Sequence, residues 1–191
     1  MTHNNSMTNN NEQYPSWEHD SEIHGYWVMN GRLLATEYPG AKDDEKALRK
    51  LQVLRDAGIT SFVDLTEAGE MTRGGARMVP YARLLSPDVN YQRFPIPDTS
   101  VIDDEGYDRI LNYIRTELDA GKVVLVACWG GKGRTGTVVG AWLIDNEGVG
   151  YPEVIDRMQE LRRGSSKADH RVPDTDEQCD VLRRRAQRRE V

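Results

Sequence analysis

Apolar residues recur in two rhythms along this chain, and the rhythms alternate. Tyr26-Trp27-Val28-Met29 and Arg32-Leu33-Leu34-Ala35 flank Asn30-Gly31. Asn and Gly both tolerate positive φ, so the pattern predicts a β-hairpin. Ala47, Leu48, Leu51 and Leu54 then fall at helical spacing, and Gly58 is a natural stop. A helix is predicted over 43–57. Residues 60–65 read as a strand, 66–80 as irregular, and 91–96 as a short strand running into Pro95-Ile96-Pro97-Asp98. Tyr107, Ile110, Leu111, Ile114 and Leu118 form one apolar helical face, capped by Asp103 or Asp104 and ended by Gly121.

Val123-Val124-Leu125-Val126-Ala127 is a continuous apolar run, the mark of a buried parallel strand. A glycine-rich turn and an apolar helix over 135–145 follow. Pro152 suits the first turn of a further helix, with Val154, Ile155, Met158 and Leu161 inward. A last helix is predicted from Thr175. Strands alternating with helices give an α/β fold in a single domain. Residues 1–13 hold five asparagines and almost nothing apolar. They read as part of a disordered tail over 1–16, ahead of an ordered domain over 17–191.

Composition narrows the function. The chain has 191 residues and a formal net charge of -6, which disfavours nucleic acid as a partner. No apolar run approaches the ~20 residues of a membrane helix, so no membrane insertion is expected. Two cysteines cannot build a disulfide framework, and the four histidines have no metal-ligand spacing. Few cysteines and no signal peptide point to the cytoplasm. Nothing in the sequence sets an oligomeric state. The charge is uneven: residues 1–120 carry 12 Lys/Arg and 20 Asp/Glu, and residues 121–191 carry 13 and 11.

The chemistry concentrates in Cys128-Trp129-Gly130-Gly131-Lys132-Gly133-Arg134-Thr135-Gly136, between the buried strand and a helix. Such a turn aims backbone N–H groups and the positive end of a helix dipole at one point, an anion cradle. Arg134 can grip a phosphate with two N–H groups, and Cys128 in that field is a candidate nucleophile. The Thr135 hydroxyl is placed to hydrogen-bond to the sulfur and help the thiolate leave. A nucleotide-binding P-loop is excluded, because Lys132 is followed by Gly133 rather than Ser or Thr.

At these residues the chain resembles the cysteine-dependent protein tyrosine phosphatase superfamily, whose signature is Cys-x5-Arg-Ser/Thr between a strand and a helix. Its size and Trp-Gly-Gly loop are most similar to the compact dual-specificity-type branch, over about residues 25–185. The resemblance implies a central, mostly parallel twisted sheet flanked by helices, and a hydrolase of phosphorylated proteins or small phosphoesters, with no metal or other cofactor and a phosphocysteine intermediate. It also implies an aspartate about thirty residues before the cysteine, acid for the leaving group and then base for water. Asp98 lies 30 residues before Cys128. Asp103 and Asp104 compete, but they also read as helix caps. Low-molecular-weight phosphatases and arsenate reductases place the loop first and the acid after it, the reverse of the order here. Rhodanese-like domains offer no matching acid. The family commonly has His before the cysteine, where this chain has Ala127.

Weaker signals stay open. Lys132 fits either an inositol-phosphate or phosphoinositide phosphatase or a plain loop lysine. Trp129 forms a substrate wall or packs on the next loop. Gln178 positions the attacking water, or completes a Thr175-x-x-Gln178 capping box, or both. Cys179 reads as packing, and Arg73 and Arg77 as loop surface or a substrate entrance. The arginines at 183, 184, 185, 188 and 189 read as a solvated helix face. Ala127 also motivates a reading from another class, a phosphate-recognition module with weak catalysis.

Overall fold

The structure is a computed structural model that describes residues 16–189; the predicted tail lies outside these apart from Ser16. The predicted hairpin forms β1 (Gly25–Met29) and β2 (Leu33–Thr36), joined through Gly31 at φ 63. Next come α1 (Asp44–Asp56), β3 (Ser61–Asp64), a 3-10 turn (Tyr81–Leu84) and β4 (Asn90–Arg93). Then follow α2 (Asp104–Asp119), β5 (Val124–Ala127), α3 (Gly133–Glu147), α4 (Glu153–Leu161) and α5 (Asp176–Arg189). The sheet order is β1-β2-β5-β3-β4, parallel except for the β1–β2 pair.

Residues on β5 alternate between two cores because side chains on a strand alternate between faces. Val124 and Val126, followed by Cys128, pack with α2 to α5, whereas Leu125 and Ala127 pack with α1, Phe62 and Tyr81. Both faces of this central strand are therefore covered, which is why its sequence is uninterrupted apolar. Two departures from the sequence expectations have plain causes. Leu48 continues the apolar rhythm of α1 but is half exposed, because only Ala47, Lys50, Leu51 and Leu54 of that helix are buried. The strand predicted over 91–96 stops at Arg93, where β4, an edge strand, gives way to the prolines.

The arginines at 183, 184, 188 and 189 are exposed as predicted, and Arg185 is the exception. Arg185 is buried and pairs with Asp108 at 2.8 Å and Asp145 at 2.6 Å, while Arg184 and Arg188 reach Asp104. These pairs fasten α5 to α2 and α3. Close backbone approach does the same along α3: a Cβ on Gly140 would lie 2.6 Å from Leu182 Cδ1.

Ahead of β1, Asp20 holds the chain entry. Its carboxylate accepts from Gly25 N at 3.1 Å and Ser166 N at 2.6 Å and contacts His24 Nδ1 at 2.8 Å. Burial, with the Lys167 ammonium nearby, holds the His24 imidazole below its ordinary value of 6.5, against the opposing pull of Asp20 and Glu37. The unfolded chain then binds a proton on His24 before the folded chain does. Stability should therefore drop as pH falls below about 6.5, until the folded imidazole also titrates. Urea midpoints measured from about pH 7.5 down to about 5.5 should fall more in the wild type than in His24→Asn.

Candidate active site

All the parallel strands end on one side of the sheet, and the loops leaving β3, β4 and β5 on that side supply Arg73, Asp98 and Cys128 to one cleft. Glu37 follows β2, Glu70 follows β3, Asp98 follows β4 and Cys128 follows β5. Ligand sites in open α/β sheets sit beyond the carboxyl ends of strands for this reason. The cleft has a volume of about 200 Å³ and is lined by Cys128, Trp129, Gly130, Lys132, Gly133 and Arg134 together with Asp98 and Gln178. Every predicted site residue except Gly131 and Thr135 lines it.

Gly131 has another task. It adopts φ 70, and a Cβ there would lie 2.8 Å from Thr36 C and Glu37 N. Only glycine lets the loop curl against the end of β2. Trp129 supports the same junction: its carbonyl accepts from Tyr38 N at 3.0 Å, and its ring is tilted against Tyr38 at 5.9 Å. The indole is still partly exposed at the cleft rim. The packing reading of Trp129 holds, and its exposed part leaves room for the wall reading as well. Ala127, where the family commonly has His, sits in the buried cluster that holds Tyr38, Phe62 and Tyr81. Aromatic packing fills that side, and Tyr38 ties the loop to it.

The predicted helix start at Thr135 is two residues late. α3 begins at Gly133, so Arg134 belongs to its first turn. Gly133 fits there because a Cβ would lie 3.0 Å from both Asp174 Oδ2 and Gln178 Nε2. The first-turn N–H groups that face the loop lack intrahelical partners and carry the positive dipole end.

Arg134 is buried, and its grip is already partly taken. Nη1 donates to Glu70 Oε2 at 2.7 Å and Ile96 O at 3.0 Å, and Nη2 donates to Glu70 Oε1 at 2.8 Å. Asp98 Oδ1 lies 3.1 Å from Nη2. Burial alone would lower the guanidinium pKa, but the Glu70 hydrogen bonds and the charges of Cys128, Glu70 and Asp98 hold it above its ordinary value. Burial would likewise raise the Glu70 carboxyl, but hydrogen bonds from Arg134 and Glu67 and the charges of Arg134 and Arg93 hold it low. The fork expected to grip phosphate is thus aimed by Glu70. The edge of Arg134 formed by Nε and Nη2 is what it turns to a ligand, with Asp98 resting beside it.

Asp98 is half exposed, as a group that must reach both a substrate and water should be. Thr99 after it holds φ 59, a strained conformation for a β-branched residue, with its hydroxyl donating to Asp98 O at 2.6 Å. Asp103 is the helix cap, accepting from Gly106 N at 2.7 Å, and neither it nor Asp104 lines the cleft. Gln178 completes a reciprocal capping box with Thr175, both bonds at 3.2 Å, and its Nε2 donates to Ser100 O at 3.3 Å. It therefore caps α5, ties it to the loop after Asp98, and lines the cleft.

One expectation is corrected. Thr135 Oγ1 is buried and, among the described residues, has no hydrogen-bond partner, so it makes no bond to sulfur. Thr135 is the third residue of α3, in the same first turn as Arg134, and is fully enclosed there. Lys132 is held toward Asp174 at 3.6 Å. Arg73 lines the cleft and Arg77 does not. Cys179 is a free buried thiol beside Arg171. Four groups at the site had no signal in the sequence: Glu70, Lys167, His170 and Asp174. Each lies in irregular chain, where spacing carries no information about what it faces.

A family model described as Swiss Army Knife protein, DSP-PTPase phosphatase domain, matches residues 24–189. The chain belongs to this phosphatase-domain family. Among solved structures, the DSP-PTPase fold here is similar to Tk-PTP in its active form, with TM-score 0.64, 27% identity, and coverage of 86% of this chain and 97% of that one. A mutant form of Tk-PTP gives TM-score 0.67 and 25% identity over 87% and 96% of the two chains. P. aeruginosa TpbA shares the fold at TM-score 0.61 and 17% identity, over 85% of each chain. The uncharacterized protein MJECL20 of Methanocaldococcus jannaschii is 42% identical over 48 residues, 25% of this chain. The match spans a third (33%) of that protein. No helix among the described residues is long and apolar enough to cross a membrane.

Proposed function

We propose that the protein is a cysteine-dependent phosphomonoesterase, a protein tyrosine or dual-specificity phosphatase that works through a phosphocysteine intermediate. The observation that carries this reading is the meeting of Cys128, Arg134 and Asp98 in one cleft, with Asp98 Oδ1 3.1 Å from Arg134 Nη2. Cys128 Sγ attacks phosphorus in line. The loop amides of residues 129–133 and the Arg134 edge hold the equatorial oxygens, whose charge is stabilised in place. The phosphorus–oxygen bond to the leaving group breaks as Asp98 gives that oxygen its proton. Asp98 then takes a proton from water, which attacks phosphocysteine and frees the thiolate. Gln178 is placed to orient that water.

The substrate class is phosphoprotein, phosphotyrosine first and phosphoserine or phosphothreonine next, in the cytoplasm and without a cofactor. The half-exposed Trp129 at the rim suits an aromatic ring. Lys132 does not favour the inositol-phosphate reading, since Asp174 takes its charge. PTPMT1, solved in complex with PI(5)P, shares the fold at 17% identity. A recognition module with weak catalysis does not need a nucleophile, a clamped arginine and a half-exposed acid in one cleft.

The acid assignment has a direct test. Asp98→Asn should lower kcat/KM, which reports only the transfer to Cys128 and not the later hydrolysis, by on the order of 10²–10³-fold on phosphoserine peptides, and less on a nitrophenyl phosphate, whose leaving group needs little protonation. Equal effects on both substrates would remove Asp98 as the acid. Aryl phosphate turnover no better in the wild type than in Cys128→Ser would remove the enzyme reading.

A further inference from the structure

We propose that Lys167 and His170 form a second anion subsite beside the phosphate loop, which binds an anionic group of the substrate other than the phosphate being transferred. This rests on the phosphatase reading above and names what else its substrate carries.

Both residues line the cleft, and they come from the segment between α4 and α5. That segment has no regular structure of its own, yet it is pinned at these two residues. Arg162, almost fully buried, donates through Nη2 to the carbonyls of Lys167 and His170, the latter at 3.0 Å. From the other side Asp20 accepts from Ser166 N at 2.6 Å. Holding the backbone of both residues in advance removes ordering cost when a ligand arrives.

The Lys167 ammonium sits at the level of the phosphate loop. Nζ donates to Glu37 Oε2 at 2.9 Å and approaches Gly130 O at 3.4 Å. An ammonium has three N–H groups, so one is left for a ligand. Glu37 does not cancel this charge, because it also faces Lys50 at 3.1 Å and one carboxylate serves two ammonium groups. The two carboxylates that line the cleft are likewise engaged, Asp174 with Lys132 and Asp98 with Arg134. Among the described residues the His170 ring has no hydrogen-bond or ion-pair partner. One spare cationic donor and one free imidazole therefore stand within the same 200 Å³ cleft as Cys128.

The chemistry recognised is a second anion close to the reacting phosphate. It can be an acidic or phosphorylated neighbour in a phosphopeptide, or a second phosphate on a small phosphoester. The test compares matched pairs: a phosphotyrosine peptide with Asp or Ala beside the phosphotyrosine, and a soluble cyclitol bisphosphate with its monophosphate. kcat/KM is measured for wild type, Lys167→Gln and His170→Asn, and the ratio is taken within each protein so that a general loss of rate cancels. The wild type should prefer the second anion by about ten-fold in at least one pair, and either substitution should bring that ratio near one. The pair that responds identifies the source. Binding of the same ligands to Cys128→Ser, with and without each substitution, reads the subsite even where a variant has lost turnover. A ratio near one in the wild type, or one that neither substitution changes in turnover or binding, overturns the subsite. An inactive wild type whose Cys128→Ser form still prefers the second anion would overturn the phosphatase reading alone.

Discussion

Replacement of Cys128 by serine should lower kcat on an aryl phosphate by on the order of 10⁴-fold or more, while affinity for inorganic phosphate stays within a few-fold. The two effects separate because the residue's two surroundings do different things. The sulfur lies at the end of β5, packed in the core shared with α2 to α5, and a serine of similar size keeps that packing. The cradle itself is backbone, held by Gly131 against Thr36 and Glu37 and by Trp129 against Tyr38. None of those contacts uses the sulfur. What serine removes is the sulfur, the proposed nucleophile. Thermal shift with phosphate reports the cradle, and initial rates report the nucleophile. Loss of both together would mean that Cys128 is a packing residue.

Arg134→Lys should cost about 10³-fold in kcat/KM although the charge is kept. A lysine ammonium cannot offer one edge to phosphate while clamped along another. Arg134 has donors enough for both: Glu70 holds it through two bonds of 2.7 and 2.8 Å, Ile96 O takes a third, and Nε is left over. The substitution also leaves Glu70 nearly buried with a single-point partner. Arg134→Ala goes further and should destabilise the fold by about 3 kcal/mol, the penalty for leaving a buried charge unpaired. Chemical denaturation at neutral pH separates the two variants. The Glu70 carboxyl is held below its usual range, so its stabilising contribution is complete above its unfolded pKa. That contribution fades only as pH falls through the lower folded value. Neutral pH therefore reads the pair at full strength.

The parts of the site that the sequence made legible are those built from contiguous chain. Cys128 to Arg134 bends between a buried strand and a helix, and both neighbours announce themselves by apolar pattern. Asp98 was legible through its distance from Cys128, a family trait rather than a physical necessity. The hairpin, α1 and α2 follow from spacing and caps, with Asp43 and Asp103 accepting where a helix start needs an acceptor. Glu70 was not legible. It comes from irregular chain after β3, and only the sheet order β5-β3 brings it beside Arg134. Lys167 and His170 escaped for the same reason, since their positions depend on Arg162 and Asp20, far apart in sequence. The start of α3 was placed late because glycine reads as a turn. Gly133 is helical because α5 packs too closely there for a side chain. The sulfur contact expected of Thr135 from its place after Arg134 is absent, since its buried hydroxyl has no hydrogen-bond partner among the described residues.

Covalent transfer to Cys128 is the central claim, and trapping the intermediate tests it most directly. Asp98→Asn should still accept phosphate from an activated aryl phosphate, yet lack the base that directs water at phosphocysteine. During turnover the phosphorylated enzyme should then accumulate. Rapid quench followed by peptide mass spectrometry should find one phosphate on the peptide that contains Cys128, and none when Cys128 is also replaced by serine. An unmodified Cys128 peptide throughout steady-state hydrolysis, with turnover that survives Cys128→Ser, would contradict the account.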